Sequence, residues 1–242
     1  MREIEDFTLI GKTVLRREDS YLLRGKAQFL DDLPEPKNLI HIAFVTSPYA
    51  RADILSIDAA AALALPGVIG VLTGKDLVDD IKTFAPVIEL DGYREVRRPV
   101  VAVDRVNFVG ETVAIILAET PYVAQDALDL VEVDYDPLPS VAEINEALKP
   151  EAPVLHQHLG DNLIFKSGFE TDAFDARFAE GDVVLEEEFR TGRVTGAMIE
   201  PRGCMAWPDP IATNITLWTP TQIPHIVRTA IADHLDIPES VL

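Results

Sequence analysis

The stretch VGETVAIILAETPYVAQDALDLVEVDYDPLP, residues 109–139, decides the fold of this chain. An uninterrupted apolar run, residues 113–118, lies in its first third and has the length of a buried strand. Thr120 and Pro121 then form a helix start, with the threonine as the cap and the proline in the first turn. Residues 131–135 alternate between apolar and polar and predict a half-buried strand. The stretch therefore predicts a strand, a helix and a second strand.

The helix of this unit has one apolar face, and a similar unit comes before it. The apolar positions follow helical spacing, at Ala124, Ala127, Leu128 and Val131. The earlier unit contains a predicted strand, an alanine-rich helix and another strand, at residues 39–46, 59–65 and 68–73. Two such units in succession predict a compact α/β domain over residues 25–140.

The segments on either side of this domain have a different composition. Residues 1–24 mix charge with few periodic apolar positions, which predicts an extended N-terminal arm. Residues 141–180 predict an acidic connector that runs over a surface, because acidic residues far outnumber basic ones there.

The last part of the chain, residues 181–242, predicts strands followed by one helix. The strands are expected at residues 183–190, 196–207 and 215–218. Thr221 is expected to cap the helix, whose apolar stripe extends from Ile223 to Leu235. Val241 and Leu242 read as the beginning of a further strand. A truncated chain, or completion of the domain by another polypeptide, would explain such an ending.

Charge is distributed unevenly along the sequence. The formal net charge is −20, of which −3 falls on residues 1–100 and −17 on residues 101–242. A negative field of this size repels phosphate backbones and argues against nucleic-acid binding. Two interpretations of the acidity stay open: it maintains solubility, or it forms a face that docks a more basic partner subunit.

Cysteine and apolar content exclude several other classes of protein. Cys204 is the only cysteine, so an intrachain disulfide is impossible, and the five histidines lack the helical spacing of a zinc site. No apolar run reaches the roughly 18 residues of a membrane helix. The N-terminal sequence MREIEDFTLIGK has no apolar secretory segment. A cytoplasmic protein without a membrane span is expected.

Several short motifs occur in an order that resembles the large subunit of molybdenum hydroxylases, the xanthine dehydrogenase, aldehyde oxidase and aerobic carbon monoxide dehydrogenase family. They are LRGKAQFLDD at 23–32, SPYARA at 47–52, PGV at 66–68, VGETVA at 109–114, VEVDY at 131–135 and LP at 138–139. Each motif alone is weak, whereas the ordered set is specific. The resemblance implies that residues 25–140 form the family's α/β hammerhead domain.

The remaining sequence resembles the start of the family's molybdopterin-binding domain. RVTGAMIEPR at 193–202 is similar to a family segment in which an apolar residue is followed by Glu-Pro. WTPTQ at 218–222 is similar to the Thr-Gln before the family's first cofactor-proximal helix. Many relatives have a histidine shortly before the Glu-Pro, where this chain has Thr195 and Gly196, so no role is transferred there. The resemblance implies that Gln222 approaches the molybdenum cofactor. An amide at a helix start suits an anionic group, because exposed backbone N–H groups lie beside it.

The resemblance also implies what the assembled enzyme contains. A molybdenum cofactor, as molybdopterin or its cytosine dinucleotide, would be held through the pterin dithiolene rather than by protein ligands. Iron–sulfur clusters and FAD would lie on partner subunits or domains, and the rest of the molybdopterin-binding subunit would be a further partner. The expected reaction is hydroxylation of an aldehyde or N-heterocycle carbon with water, or oxidation of carbon monoxide.

Two other hypotheses compete with a part of an oxidoreductase. The family's glycine-rich loop, its phenylalanine near the cofactor and its base glutamate would all lie beyond residue 242, so the isolated chain is expected to be inactive. A non-catalytic hammerhead module that only docks partners, from a split or truncated gene, is the first alternative. An unrelated acidic α/β binding domain is the second, and it requires the ordered motifs to be coincidental.

Overall fold

The structure is a computed structural model that describes residues 9–86, 90–168, 171, 173–209 and 211–242. The described residues form two compact units. The smaller unit combines the N-terminal residues up to Pro36 with residues 196–222, and the larger one contains residues 37–195 and 223–242. Residues 1–8 of the predicted arm lie outside the described residues.

Short strands alternate with short helices, so the predicted mixed α and β class is confirmed. The strands are β1 (His41–Thr46), β2 (Ala52–Asp58), β3 (Val68–Thr73), β4 (Arg105–Val106), β5 (Thr112–Ala118), β6 (Glu132–Pro137), β7 (Met205–Asp209) and β8 (Asn214–Trp218). The helices are α1 (Asp19–Leu22), α2 (Ala60–Ala64), α3 (Gly74–Leu77), α4 (Pro121–Asp126), α5 (Ile144–Ala147), α6 (Phe174–Ala179) and α7 (Pro224–Leu235). Turns of 3-10 helix cover Leu30–Asp32, Ala127–Leu130, Gln157–Leu159 and Glu239–Val241.

The first sheet of the larger unit is built around β5, the strand that the apolar run at residues 113–118 predicts. Its strand order is β1-β5-β3, and both neighbours are antiparallel to β5. A central strand has a hydrogen-bonding partner on each side, and Val113, Ala114, Ile116 and Ala118 of β5 are fully buried. The continuous apolar run therefore reflects a strand at the centre of the fold.

Alanines allow the helices to lie close to one face of this sheet. Ala62 of α2, Ile116 of β5 and Ala127 after α4 form one buried cluster. The hydroxyl of Thr120 accepts a hydrogen bond from the backbone N–H of Val123, so the predicted cap of α4 is confirmed. The strand–helix–strand pattern around α4 is divided between two sheets, since β5 belongs to this sheet and β6 to a second one.

A second sheet, in the order β4-β2-β6, completes the core of the larger unit. Both neighbours of β2 are antiparallel to it. A second buried cluster contains residues of both sheets. They are Ala52 and Val106 of the second sheet and Val113 of the first, together with Ala102. Near the start of β2, Asp53 forms an ion pair with Arg105 of β4, with a distance of 2.5 Å between Oδ1 and Nε.

Helix α7 begins later than the sequence predicts. Its first residue is Pro224 and Ile223 occupies the N-cap position, so the prediction that Thr221 caps the helix is wrong. Proline is favoured in the first turn because its missing N–H would have no intrahelical partner there. The apolar stripe is only partly covered: Ala232 is buried, whereas Ile226 and Leu235 are 52% and 40% exposed.

The C-terminal end of α7 is fastened to the segment after α3. The backbone N–H of Lys82 donates to the carbonyl of His234, and Lys82 Nζ lies 2.9 Å from Oδ1 of Asp236. The rings of Phe84 and His234 are 6.1 Å apart in an edge-on arrangement. These contacts place α7 in the larger unit, although its sequence follows the smaller one.

Three predicted strands are absent or shorter in the described structure. Residues 183–190 have no regular structure, and of residues 196–207 only those from Met205 onward form a strand. An apolar alternation becomes a strand only where a neighbouring strand offers hydrogen bonds, and Val183 and Phe189 are 79% and 89% exposed. The predicted strand start at Val241 is also wrong, since a 3-10 turn covers Glu239–Val241.

Helix length also bears on membrane association. Among the helices that the structure describes, none is both long and apolar enough to cross a membrane.

Candidate functional site

Gln222, the predicted cofactor contact, follows the hairpin of β7 and β8 in the smaller unit. The hairpin pairs Met205 with Trp218 at its open end, where the chain enters and leaves. The rings of Trp207 and Trp218 are 6.4 Å apart across it. Gln222 lies four residues after β8 and is exposed to solvent. Its amide can therefore both donate and accept a hydrogen bond toward an external group.

A side-chain hydrogen bond closes the open end of this hairpin. The hydroxyl of Thr219 donates to the carbonyl oxygen of Gly203 at 3.0 Å. This bond extends the pairing of β7 and β8 by one step beyond Met205 and Trp218. Thr219 is three residues before Gln222, so the bond fixes the direction in which the chain leaves the hairpin. The sequence pattern did not single out Thr219 for this role.

Glu200 connects the hairpin entrance to the 3-10 turn at Leu30–Asp32. The backbone N–H of Leu30 donates to Oε1 of Glu200 at 2.9 Å, and the glutamate is half-buried. The side chain of Leu30 lies against Gly203, where an added Cβ would come within 2.7 Å of Cδ2. Glu200 is therefore an acid held by a backbone donor. This contact is structural, and its donor lies beyond the predicted arm of residues 1–24.

Cys204, His156 and His158 are the other candidates for reactive or metal-binding side chains. A free cysteine is most often a small core residue, whereas Cys204 is exposed. The rings of His156 and His158 are 6.2 Å apart in the larger unit, and burial, then His158 and Arg51, lowers the pKa of His156. Within the described ranges no group of three or more histidine, cysteine, aspartate or glutamate residues is arranged to hold a metal ion.

Arg51 is a buried cation that the sequence pattern did not reveal. It is 7% exposed and lies in the turn before β2. Its Nη1 donates to the carbonyl of Pro139 at 3.1 Å and its Nη2 to the carbonyl of Val154 at 3.0 Å. The guanidinium therefore fastens both ends of residues 139–154 to the larger unit. In the sequence, only the position of this arginine directly after Ser-Pro-Tyr-Ala could have indicated its role.

Glu111 is a buried acid in the loop between β4 and β5. It is 7% exposed, and its Oε2 accepts a hydrogen bond from the backbone N–H of Asn107 at 2.6 Å. Burial raises the pKa of Glu111, while the Asn107 N–H, the charge of Arg98 and the Phe108 N–H act in the opposite direction. Gly110 before it has φ +89°, a backbone conformation that favours glycine at this turn.

The raised pKa of Glu111 has a consequence for stability. Because the folded state binds this proton more tightly than the unfolded chain does, the contribution of Glu111 is present at acid pH and is lost as pH rises through the folded-state pKa. We expect the unfolding free energy of the wild type, relative to Glu111→Gln, to fall as pH rises above about 4.3, the ordinary pKa of a glutamate. Urea titrations across this range measure the difference, with Glu132→Gln on β6 as the matched control. A difference that rises with pH would contradict the assignment.

Comparison with known proteins defines the class to which this arrangement belongs. The family model for the aldehyde oxidase and xanthine dehydrogenase a/b hammerhead domain matches residues 24–139, and the model for the molybdopterin cofactor-binding domain matches residues 155–242. The two matches follow one another in the order that the sequence motifs predict. The chain belongs to the xanthine dehydrogenase and carbon monoxide dehydrogenase family of molybdenum enzymes, and it corresponds to an N-terminal portion of their large subunit.

Individual relatives agree with this family assignment. The carbon monoxide dehydrogenase large chain of Hydrogenophaga pseudoflava is 36% identical over 237 residues, which cover 93% of this chain and 29% of the relative. The nicotine 6-hydroxylase large subunit of Paenarthrobacter nicotinovorans is 33% identical and covers 96% of this chain. The crystal structure of quinoline 2-oxidoreductase from Pseudomonas putida 86 superimposes with a TM-score of 0.88 at 36% identity, over 96% of this chain and 29% of its own. The chain spans less than a third of the length of these relatives.

Proposed function

We propose that this chain contributes the hammerhead domain and the start of the molybdopterin-binding domain to a molybdenum-dependent oxidoreductase. The ordered match of two family models over residues 24–139 and 155–242 carries this proposal. The fold of the larger unit supports it. The motif at 109–114 leads into the central strand β5, and the motif at 131–135 lies largely in β6 of the second sheet. We place the domain boundaries at about 25–140 and 181–242, with an acidic connector between them.

The reaction proposed for the assembled enzyme is hydroxylation of an aldehyde or N-heterocycle carbon with oxygen from water, or oxidation of carbon monoxide. The molybdenum cofactor, as molybdopterin or its cytosine dinucleotide, would supply the two-electron redox chemistry. Iron–sulfur and flavin subunits, or domains with these groups, would remove the electrons, and the complex would lie in the cytoplasm. This chain's own part is to bind and position, because its described residues offer amide and backbone donors rather than metal ligands.

Gln222 is the residue of this chain that we assign to the cofactor. Its exposed amide at the exit of the hairpin offers a neutral donor and acceptor, which suits a cofactor held through its pterin rather than by protein side chains. Thr219 and Glu200 act through the backbone: Thr219 closes the open end of the hairpin from which Gln222 extends, and Glu200 holds the segment that enters it. Both residues are positioning residues in this assignment.

Replacing Gln222 tests the assignment in the assembled enzyme. We expect Gln222→Ala to lower kcat/KM about tenfold, because one neutral hydrogen bond contributes about 0.5–1.5 kcal/mol and 1.4 kcal/mol corresponds to a factor of ten. Gln222→Glu should lower it further, since a carboxylate would face an anionic cofactor. Gln28→Ala removes another exposed amide of the smaller unit and is the matched control. Unchanged kcat/KM in Gln222→Glu, at full molybdenum content, would contradict the contact.

A further inference from the structure

Helix α7 ends against a segment that lies far from it in the sequence, residues 82–84, which we call the anchor segment. The last carbonyl groups of a helix have no partner within it, and the backbone N–H of Lys82 donates to the carbonyl oxygen of His234 at 3.0 Å. The ammonium group of Lys82 lies 2.9 Å from Asp236 and 3.6 Å from Asp233, at the negative end of the helix. The anchor segment therefore supplies both a donor and a positive charge to the last turn of α7.

The ring of His234 is held from two directions. Its Nδ1 lies 2.5 Å from the carbonyl oxygen of Ala230, one turn earlier in α7. A carbonyl oxygen only accepts, so Nδ1 carries the proton and donates to it. The ring of Phe84 meets the His234 ring edge-on, with 6.1 Å between the centroids and 64° between the planes. Aromatic pairs favour this arrangement, so the contact defines the orientation of both half-buried rings.

Phe84 is itself held by Arg98, in the segment before β4. The backbone N–H of Phe84 donates to the carbonyl of Arg98 at 2.9 Å, and the N–H of Arg98 donates to the carbonyl of Phe84 at 3.0 Å. The guanidinium carbon of Arg98 lies 4.5 Å from the centroid of the Phe84 ring and 5.6 Å from that of Phe108. Phe84 thus connects α7 to the segment before β4 and to the loop between β4 and β5.

Side chains in the middle of α7 have partners that follow the helix directly. Arg228 lies 3.0 Å from Glu239, and the hydroxyl of Thr229 donates to the same carboxylate at 2.8 Å. Glu239 belongs to the 3-10 turn after α7, so these bonds do not connect the helix to a sheet. The anchor segment, by contrast, connects to residues beside β4, and it can therefore set the direction of the helix.

Gln222 is joined directly to this helix. It precedes Ile223, the N-cap residue of α7. The 12 residues of α7 rise about 1.5 Å each and make a helix about 18 Å long, so a tilt of about 5° at the anchored end moves the first residue by about 1.6 Å. A displacement of about 1 Å can cost an active site about 100-fold in rate. The contact of Phe84 with His234 is therefore able to act on Gln222 from the far end of the helix.

We propose that Phe84 is a positioning residue for Gln222, because its contact with His234 sets the direction of α7 and thereby the position of the amide at the cofactor. This inference rests on the proposed function, in which Gln222 contacts the cofactor. A contact that only stabilises α7 would have the same effect whether or not position 222 carries an amide. A positioning contact acts through that amide alone, and a double-mutant comparison separates the two roles.

The Mo(V) EPR spectrum of the natively assembled, partly reduced complex tests the inference without a substrate. Gln222→Ala removes the proposed amide contact, and the change that it causes in the g values is the reference shift. We expect Phe84→Leu, which keeps an apolar side chain but removes the ring contacts, to give a comparable shift. Phe84→Tyr keeps the ring and should give the wild-type spectrum. In the Gln222→Ala background, Phe84→Leu should add no further shift.

Two further variants complete the experiment. His234→Leu removes the same ring contact from the side of the helix, so it should behave as Phe84→Leu does and replaces that variant if its complex does not assemble. Phe178→Leu is the matched control, because it removes a ring pair on α6 of the same unit, in which the centroids of Phe174 and Phe178 are 5.6 Å apart. Its spectrum should be that of the wild type.

The possible failures are distinguishable. A wild-type spectrum in Phe84→Leu or His234→Leu, beside a shifted one in Gln222→Ala, would overturn the inference alone. A Phe84→Leu shift that persists in the Gln222→Ala background, or that Phe178→Leu shares, would do the same. An unshifted spectrum in Gln222→Ala at full molybdenum content, or a complex without molybdenum, would overturn the proposed function and this inference with it.

Discussion

Replacing Gly74 with alanine is expected to destabilise the larger unit by about 3 kcal/mol. Gly74 is the first residue of α3 and lies against the backbone of the segment before β4. An alanine Cβ there would come within 2.7 Å of the carbonyl carbon of Ala102 and 2.8 Å of the carbonyl oxygen of Val101. These are backbone atoms beside two buried residues, so they cannot move aside as the end of a flexible side chain would.

Gly70→Ala is the matched control for this change. Gly70 lies in β3 of the same unit, and an added Cβ would meet only Cδ1 of Leu117 at 3.8 Å, an ordinary contact distance. Alanine also has less backbone freedom to lose than glycine. We therefore expect Gly70→Ala to be neutral or slightly stabilising. Urea unfolding measures both variants, and equal effects at the two positions would show that the backbone does not approach Gly74 as described.

The second large effect is expected at Arg51. Arg51→Met keeps the length of the side chain but removes the hydrogen bonds to the carbonyls of Pro139 and Val154. Hydrogen bonds to a charged group contribute about 1.5–3 kcal/mol each, and relief of the buried charge offsets part of that loss. We expect the free energy of unfolding to fall by about 3 kcal/mol. Hydrogen exchange should also become faster within residues 139–158, the segment that Arg51 fastens.

Arg105→Met provides the comparison for Arg51. Arg105 belongs to the same sheet region, and its ion pair with Asp53 is more than a third exposed. Exposed ion pairs contribute about 0–1 kcal/mol, so this variant should be close to the wild type. If Arg51→Met leaves the hydrogen exchange of residues 139–158 unchanged, contacts other than those of Arg51 hold this segment.

The parts of the fold that the sequence predicted are those with local causes. Helix α4 begins where expected because the Thr120 hydroxyl caps it and Pro121 supplies the first turn. Strand β5 was predicted because a central strand, with one face buried and the other half-buried, favours an uninterrupted apolar run. In both cases neighbouring residues alone determine the structure.

The parts that were missed depend on residues distant in sequence. Residues 183–190 have a strand-like composition, but no strand in the described structure pairs with them. The role of Arg51 depends on carbonyls 88 and 103 residues away. Local patterns do not contain such information.

The sequence predicts Gln222 as a cofactor contact, but it does not predict the contacts that hold the neighbouring segments. The motif at 218–222 led to Gln222, whereas the bonds from Thr219 to Gly203 and from Leu30 to Glu200 have no sequence signature. A hydroxyl and a carboxylate acquire a positioning role only when folding brings a backbone partner within reach. The assignment of Gln222 to the cofactor remains a prediction for the assembled enzyme.

Molybdenum analysis of the natively purified complex tests the central claim most directly. The metal is measured by mass spectrometry and related to the amount of this chain by amino-acid analysis, with the chain expressed alone as the comparison. The account predicts about one molybdenum per chain in the complex and none in the isolated chain, because a cofactor site needs the remainder of the subunit. A complex without molybdenum, or an isolated chain with stoichiometric molybdenum, would contradict it.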